Sequence, residues 1–146
     1  LAHRAEALLA AADRAQHIEE VVAPALAAGR HVVSDRSVYS TLAYQGYGRG
    51  LPLDDVRHIN EWAVAGHWPD LVVLLDVPLE VMMQRLKKRE LDRFELEDDG
   101  FHRRVRDGFS AMAAADPERW VVIDGQQSKD AVQTAIRNAV AERLGL

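Results

Sequence analysis

Apolar side chains recur along this 146-residue chain with two periodicities. Between Leu1 and Ala28 they fall at steps of three and four residues, which predicts a helix with one apolar stripe. Pro24 has no amide hydrogen to donate, so we expect it to kink or divide this helix. The stripe comprises Leu8, Ala12, Ala15, Ile18, Val22 and Leu26.

Three short apolar runs predict strands, and an aspartate stands at the end of each. They are His31 to Ser34 before Asp35, then Asp70 to Asp76, and then Trp120 to Asp124. The second run is almost continuously apolar between two prolines, as in a strand that is buried on both faces of a parallel sheet.

Helical periodicity returns between and after these runs. Helices are predicted from near Leu53, from Leu79 to Arg89, from Phe101 to Ala114 and from Lys129 to Leu144. The stretch from Ser37 to Leu51 contains three glycines, and we predict a loop there. Strands that alternate with helices indicate one α/β domain over residues 1–146, with a doubly wound parallel sheet and helices on both faces.

Composition narrows the classes of function. Eighteen basic residues against 23 acidic ones give a net charge of -5, which argues against nucleic acid as a partner. The chain has no cysteine, and no apolar run approaches the roughly 20 residues that span a membrane. We therefore expect a cytoplasmic enzyme or binding domain.

The three strand-end aspartates are the first candidates for chemistry, because parallel sheets bind ligands at the carboxyl ends of their strands. Asp76 and Asp124 are better explained, on placement alone, as loop or helix-capping carboxylates. Asp35 differs because Arg36 follows it. A carboxylate that holds Mg²⁺ beside a guanidinium that clamps a phosphate suits phosphoryl transfer, although such a pair also occurs as a surface ion pair.

A long motif continues from this pair. Asp35-Arg36 is followed by Ser40-Thr41, by Ala43-Tyr44-Gln45-Gly46 and by Gly48-Arg49-Gly50. This order resembles the thymidylate kinase family, whose fold is the doubly wound sheet of the phosphate-loop nucleoside monophosphate kinases. The resemblance implies transfer of the γ-phosphoryl group of ATP to dTMP, with Mg²⁺ at Asp35. It places Arg36 on the dTMP phosphate, Tyr44 against the deoxyribose, and Ser40, Thr41 and Gln45 around the base.

The first helix adds a second resemblance, in Ala12-Asp13-Arg14-Ala15-Gln16. In the family this helix ends in an arginine that reads the base, and that role falls on Arg14. Its guanidinium would donate to thymine O4, which cytosine replaces with an amino donor. The sequence alone also permits a solvated helix residue. The family commonly has an aromatic residue, stacked on thymine, where this chain has Ala10.

Basic residues are concentrated between Arg85 and Arg106, which hold 8 of the 18. The segment from Arg85 to Glu95 resembles the family's mobile lid, here about residues 85–99. The resemblance assigns stabilisation of charge on the transferring phosphoryl group to Arg85, Arg89 and Arg93. An ion-paired surface hairpin would have the same composition. Asp124, Gly125 and Gln126 resemble the family segment that borders adenine.

No Gly-x-x-x-x-Gly-Lys-Ser/Thr occurs in these residues, although the family needs this loop to hold the ATP phosphates. We therefore expect the first strands of the fold upstream of Leu1, and no kinase activity from these residues alone. Another kinase of similar layout, acting on a different pyrimidine monophosphate or a deoxynucleoside, remains an alternative, as does a silent nucleotide-binding or dimerising domain. The family is commonly dimeric, and the small residues Ala10, Ala11 and Ala12 would permit helices to pack closely in a homodimer.

Overall fold

A computed structural model describes residues 1–87, Phe94 and residues 97–146. The chain divides into two compact units, Leu1–Trp68 and Pro69–Leu146. The first unit is helical, and the second combines helices with a parallel sheet. The prediction of one domain over residues 1–146 stays a prediction, and each unit is described by itself.

The first unit packs helix α1 against helix α4. Its core is formed mainly by small and β-branched side chains, among them Ala7, Ala11, Val38, Val56 and Val64. In chain order its elements are α1 (His3–His17), a π-helical segment (Ile18–Val22), α2 (Ala23–Ala27), α3 (Val38–Thr41), a second π-helical segment (Leu42–Gly48) and α4 (Leu53–Val64).

Pro24 divides the first helical stretch, as predicted. It lies at the start of α2, directly after the π-helical segment Ile18–Val22. The amide of Ala23 donates to the carbonyl oxygen of Ile18, five residues back instead of four. A wider turn of this kind is one of the standard ways in which a helix accommodates an irregularity.

The predicted apolar stripe of the first helix is partly wrong. Leu8 is 54% exposed and Leu26 is 42% exposed. The buried face of α1 instead carries Glu6, Ala7 and Ala11. Alanines one turn apart permit α4 to approach closely, and the larger leucines project from the remaining surface of α1.

The predicted strand from His31 to Ser34 is also wrong, because these residues form no strand in the structure. Val33 is 98% exposed. A strand is stabilised by hydrogen bonds to a neighbouring strand, and none of the described residues pairs with this segment. Asp35 therefore follows an extended stretch of chain and does not end a strand.

The glycine-rich stretch from Ser37 to Leu51 is helical over most of its length, which contradicts the predicted loop. Val38 and Leu42 are buried four residues apart. A Cβ atom on Gly46 would lie 2.6 Å from Cδ2 of Leu53. Gly46 thus allows the second π-helical segment to pack tightly against the start of α4.

The second unit is mixed α/β, with two parallel strands and helices packed against them, which confirms the predicted fold class in the described part of the chain. Val72 pairs with Trp120 and Asp76 pairs with Asp124, so both aspartates lie at the same edge of the sheet. Helices α6 and α7 pack against β2. The elements are β1 (Val72–Asp76), α5 (Leu79–Leu86), α6 (Asp99–Ala115), β2 (Trp120–Asp124) and α7 (Lys129–Leu144).

Capping side chains fix where the last two helices begin. The Asp98 Oδ1 atom accepts from the Phe101 amide at 2.7 Å, so α6 begins at Asp99, two residues before the predicted start. Ser128 Oγ accepts from the Ala131 amide at 3.2 Å, and α7 has the predicted bounds. None of the helices in the described part of the chain is both long and apolar enough to cross a membrane.

Candidate functional site

Arg14 joins three helices of the first unit. From the last turn of α1, its Nη2 donates to Thr41 Oγ1 at 2.5 Å and its Nε donates to Asn60 Oδ1 at 3.2 Å. Thr41 ends α3, and Asn60 lies in α4. The guanidinium has five N–H donors, and three have no partner among the residues that the structure describes. Arg14 is therefore fixed in position and still able to donate to a ligand.

Asn60 fixes the position of the Arg14 side chain by accepting its Nε–H. It is fully buried, at 0% exposure, and its Nδ2 donates to the Val56 carbonyl oxygen at 2.8 Å. This bond turns Oδ1 towards Arg14. Burial lowers the pKa of the Arg14 guanidinium, because the charged form loses solvation, and the nearby Asp13 acts in the opposite direction. Arginine nevertheless stays protonated in proteins, so the group presents a positive charge.

Arg36 has a strained backbone and a stacked side chain. Its φ angle is 70°, which is uncommon for any residue other than glycine. Ser34 Oγ donates to the Arg36 carbonyl oxygen at 2.7 Å and closes the turn. The Cζ atom of Arg36 lies 5.0 Å from the ring centroid of Tyr44, within cation–π range. Strain of this kind is concentrated at functional sites, because surrounding contacts must maintain it.

The other residues predicted around the base fall into two groups. Ser40 is half-buried, at the surface of α3. Thr41 and Gln45 are each only 4% exposed. Thr41 accepts from Arg14, whereas Gln45 Nε2 donates to Glu6 Oε1 at 2.9 Å. The structure thus brings Arg14 and Thr41 together and directs the Gln45 amide to Glu6.

Glu6 is the centre of a buried cluster on helix α1. Arg49 Nε lies 3.2 Å from Glu6 Oε1, and Arg49 Nη2 lies 3.4 Å from Glu6 Oε2. The two side chains are 8% and 7% exposed for Glu6 and Arg49 respectively. This ion pair links α1 to the end of the second π-helical segment.

Sequence reasoning gave no role to Glu6, Arg49 or Asn60. The sequence does contain a signal that Asn60 is buried, because Asn60 lies on the same helical face as the apolar Val56, four residues earlier. Arg49 stands between two glycines of the motif. Nothing in the local pattern distinguishes Glu6 from a solvated glutamate, since its partner residues are 39 and 43 positions away.

In the second unit, the residues predicted to border adenine form a tight turn after β2. Asp124 Oδ1 accepts from the Gln126 amide at 2.9 Å. The Gly125 amide donates to the Asp76 carbonyl oxygen at 2.8 Å. A Cβ atom on Gly125 would lie 2.9 Å from Val77 Cγ1 and 3.2 Å from that carbonyl oxygen. Close approach of the two strand ends therefore requires glycine here.

Arg85 reaches the same turn from α5. Its Nη2 donates to the Gly125 carbonyl oxygen at 3.2 Å. Both residues line a cleft of about 890 Å³, to which Lys129 and Arg137 of α7 also contribute. Arg89 and Arg93, the other two predicted lid arginines, lie outside the described residues, as does most of the segment 85–99.

Asp76 has a structural partner. Its Oδ2 lies 3.1 Å from Arg106 Nη2, and Arg106 Nε also donates to the Val77 carbonyl oxygen at 3.0 Å. This arrangement matches the interpretation of Asp76 as a loop carboxylate. No cluster of three or more potential metal ligands from His, Cys, Asp and Glu occurs in the described ranges 1–87, 94 and 97–146. Asp35 is exposed and is the carboxylate nearest in sequence to Arg36.

The sequence model of the family described as "Thymidylate kinase" matches residues 1–136. A thymidylate kinase of Neisseria gonorrhoeae is 50% identical over 143 residues, which are 97% of this chain and 69% of that protein. One of a Synechococcus species is 53% identical over 142 residues, covering 97% and 68%. One of Geotalea uraniireducens is 47% identical over 146 residues, covering 95% and 68%. The resemblance seen in the motifs is confirmed, and the chain belongs to the thymidylate kinase family.

Proposed function

We propose that the protein is a cytoplasmic dTMP kinase, which transfers the γ-phosphoryl group of ATP to dTMP and releases dTDP and ADP, a step towards dTTP. Membership of the thymidylate kinase family supports the reaction. The single observation that carries the choice of acceptor is the fixed Arg14 guanidinium, which Thr41 and Asn60 orient and which keeps unused donors.

Arg14 would select thymine by donating to O4. Thymine presents an acceptor there, whereas cytosine presents an amino group that would face the guanidinium donor to donor. A site that is built to donate to one base leaves its buried donors unsatisfied with the other, which is how strong discrimination arises. Ser40 and Thr41 are short hydroxyl side chains beside this position and suit the edge of a pyrimidine.

Arg36 would bind the 5′-phosphate of dTMP. A guanidinium fork makes charge-assisted, bidentate contacts with phosphate oxygens, which a lysine at the same position would not reproduce. In the structure the Tyr44 ring supports the Arg36 guanidinium. We propose that the same ring packs against the deoxyribose, where an aromatic neighbour leaves little space for a 2′-hydroxyl group.

Asp35 would hold Mg²⁺, which neutralises phosphate charge when it is bound. Magnesium sites in kinases commonly use only one or two carboxylates, with water and substrate phosphates as the other ligands. One exposed carboxylate next to the phosphate-binding arginine meets this requirement. Asp35 would thereby orient the phosphates through the ion that it binds.

Three arginines would supply the remaining positive charge. Arg85, Arg89 and Arg93 are proposed to stabilise the phosphoryl group during transfer, where positioning and electrostatics provide most of the catalysis. For Arg85 this requires release of the Gly125 carbonyl oxygen, with which it is now bonded. Asp124, Gly125 and Gln126 are proposed to border the adenine of ATP.

We also propose that the protein forms a homodimer through the exposed side of α1. Leu8 and Leu9 are 54% and 59% exposed there, and Ala12 is exposed beside them. Burial of two leucines per protomer against a second copy would remove apolar surface from water. Sedimentation of the wild type and of Leu8→Glu tests this, because the charged variant should sediment as a monomer.

The proposed reaction is tested with the product of the intact gene that contains these residues. ADP release is measured with ATP, Mg²⁺ and each of dTMP, dUMP and dCMP. We expect dTMP to be the preferred acceptor by kcat/KM, with dCMP at least about a hundredfold poorer. Preference for another nucleotide or a deoxynucleoside would establish the alternative kinase, and absence of transfer with binding retained would establish a silent nucleotide-binding protein.

A further inference from the structure

Glu6 is a buried charge in the first unit that the proposed reaction does not use. Gln45 and Arg49 both donate N–H groups to its carboxylate. Carboxylate and guanidinium are both more than nine-tenths buried. Burial of charge is costly unless the partners satisfy it fully, so the loss of one partner strongly affects the position of the others.

The two donor residues, Gln45 and Arg49, lie close together in the chain, near the end of the second π-helical segment. Gln45 lies within the second π-helical segment, and Arg49 lies directly after it. The Arg49 amide also donates to the Tyr44 carbonyl oxygen at 2.9 Å. Glu6 thereby holds the turn that contains Tyr44, and the Tyr44 ring is the surface on which the Arg36 guanidinium rests.

The same helix α1 carries both Glu6 and Arg14, eight residues apart. Contacts at Glu6 fix the turn that supports Arg36, while contacts at Arg14 fix the group proposed to read the base. Helix α1 therefore links the position of Arg36, the proposed phosphate-binding group, to that of Arg14, the proposed base-reading group. Binding of a nucleotide requires both groups at once, so any loosening at Glu6 lowers the fraction of molecules that are ready to bind.

We propose that Glu6, Gln45 and Arg49, here called the Glu6 anchor, are positioning residues for the nucleotide acceptor. Gln45 acts through Glu6 and does not read the base. This inference rests on the proposed function, and it changes the role that family resemblance gives to Gln45. It follows from the hydrogen bond that the Gln45 amide donates to Glu6, in a residue that is only 4% exposed.

The experiment compares Glu6→Gln, Gln45→Leu and the double variant of the intact gene product. Each single change should raise KM for dTMP by about tenfold, because a charged hydrogen bond is lost and fewer molecules are competent to bind. We expect kcat and KM for ATP to change less than about twofold, and the dTMP/dCMP preference to stay at the wild-type value. The double variant should resemble Glu6→Gln, since both changes weaken the same Gln45–Glu6 hydrogen bond and their effects should not add.

Gln16→Leu is the matched control. Gln16 is an exposed glutamine on α1 that bonds only to the exposed Glu20 among the described residues, so KM and melting temperature should stay at wild-type values. If Glu6→Gln does not fold, Arg49→Lys replaces it, because lysine keeps the charge beside Glu6 but loses the fork. Raised KM for dTMP at unchanged base preference is again the expected result.

Two results would overturn the inference. One is a tenfold or greater loss of dTMP/dCMP preference in Gln45→Leu, because this would make Gln45 a base-reading residue. The other is a wild-type KM for dTMP in Glu6→Gln or Arg49→Lys.

The Glu6 anchor also has a test that is independent of activity. Melting temperatures of the single and double variants should be non-additive, and additive shifts would refute the anchor even if dTMP were not the substrate.

Discussion

Replacement of Arg14 by methionine tests the geometry on which the proposed choice of acceptor depends. Methionine keeps an unbranched apolar stem and a good helix propensity, but it removes all five N–H donors. Two hydrogen bonds disappear, at 2.5 Å to Thr41 and 3.2 Å to Asn60. The change therefore isolates the polar contacts of Arg14 from the packing of α1.

The expected loss in the free energy of unfolding comes mainly from Asn60. The Thr41 hydroxyl can rotate, whereas Asn60 Oδ1 belongs to a residue with 0% exposure and loses its partner. An unsatisfied buried acceptor costs about 1–3 kcal/mol. Relief from burying the Arg14 charge, the same burial that lowers its pKa, offsets part of this cost. We expect a net loss of about 1–2 kcal/mol, or roughly 2–8 °C in melting temperature for a protein of this size.

The pH dependence of this loss has a definite sign. A lowered guanidinium pKa means that the folded state favours the neutral form, so the unfavourable contribution is relieved only as pH rises through the folded-state pKa. Because arginine stays protonated across the ordinary working range, the difference between Arg14→Met and the wild type should be constant between about pH 6 and pH 9.

The assay combines thermal unfolding with acceptor kinetics. KM for dTMP should rise about tenfold or more in Arg14→Met, and the preference for dTMP over dCMP should fall. Arg4→Met is the control, since Arg4 is exposed on the same helix. The proposed role of Arg14 is refuted if Arg14→Met keeps both the melting temperature and the base preference of the wild type, or if Arg4→Met reproduces its losses.

Three further changes test other parts of the protein. Arg36→Ala should lower kcat/KM for dTMP by about a hundredfold or more at an unchanged melting temperature, because bidentate phosphate contacts are strong; wild-type turnover would remove Arg36 from the site. Ala10→Phe should tighten dTMP binding by about 1–3 kcal/mol in calorimetry if a stacking face is missing, and unchanged affinity would show that another side chain provides it. Gly125→Ala should cost about 1–3 kcal/mol in thermal unfolding, since its Cβ would meet Val77 at 2.9 Å; an unchanged melting temperature would contradict that packing.

Much of the second unit was predictable from local pattern. The strand Trp120–Asp124 and the helix Lys129–Leu144 have the predicted bounds. In both cases the periodicity is clear and the neighbouring elements that bury it are present in the described chain. The pairing of Asp76 with Asp124 at one sheet edge likewise follows from parallel strands.

The first unit was predicted less well, because its structure depends on contacts between distant residues. His31 to Ser34 has the composition of a strand, but no described neighbour pairs with it. The glycines after Ser37 suggested a loop, whereas this stretch is helical and Gly46 permits close packing on Leu53. A residue type indicates what the backbone tolerates locally, and the neighbouring element decides which of the tolerated structures forms.

The sequence by itself determined the family and supplied the candidates Arg14 and Arg36, because those features are carried by residue type and order along the chain. Tertiary structure decided what each candidate contacts. Arg14 meets Asn60 across 46 positions, and Gln45 meets Glu6 across 39. Hydrogen bonds between buried groups depend on which helices pack together, and that arrangement is set by the core as a whole and not by any local pattern.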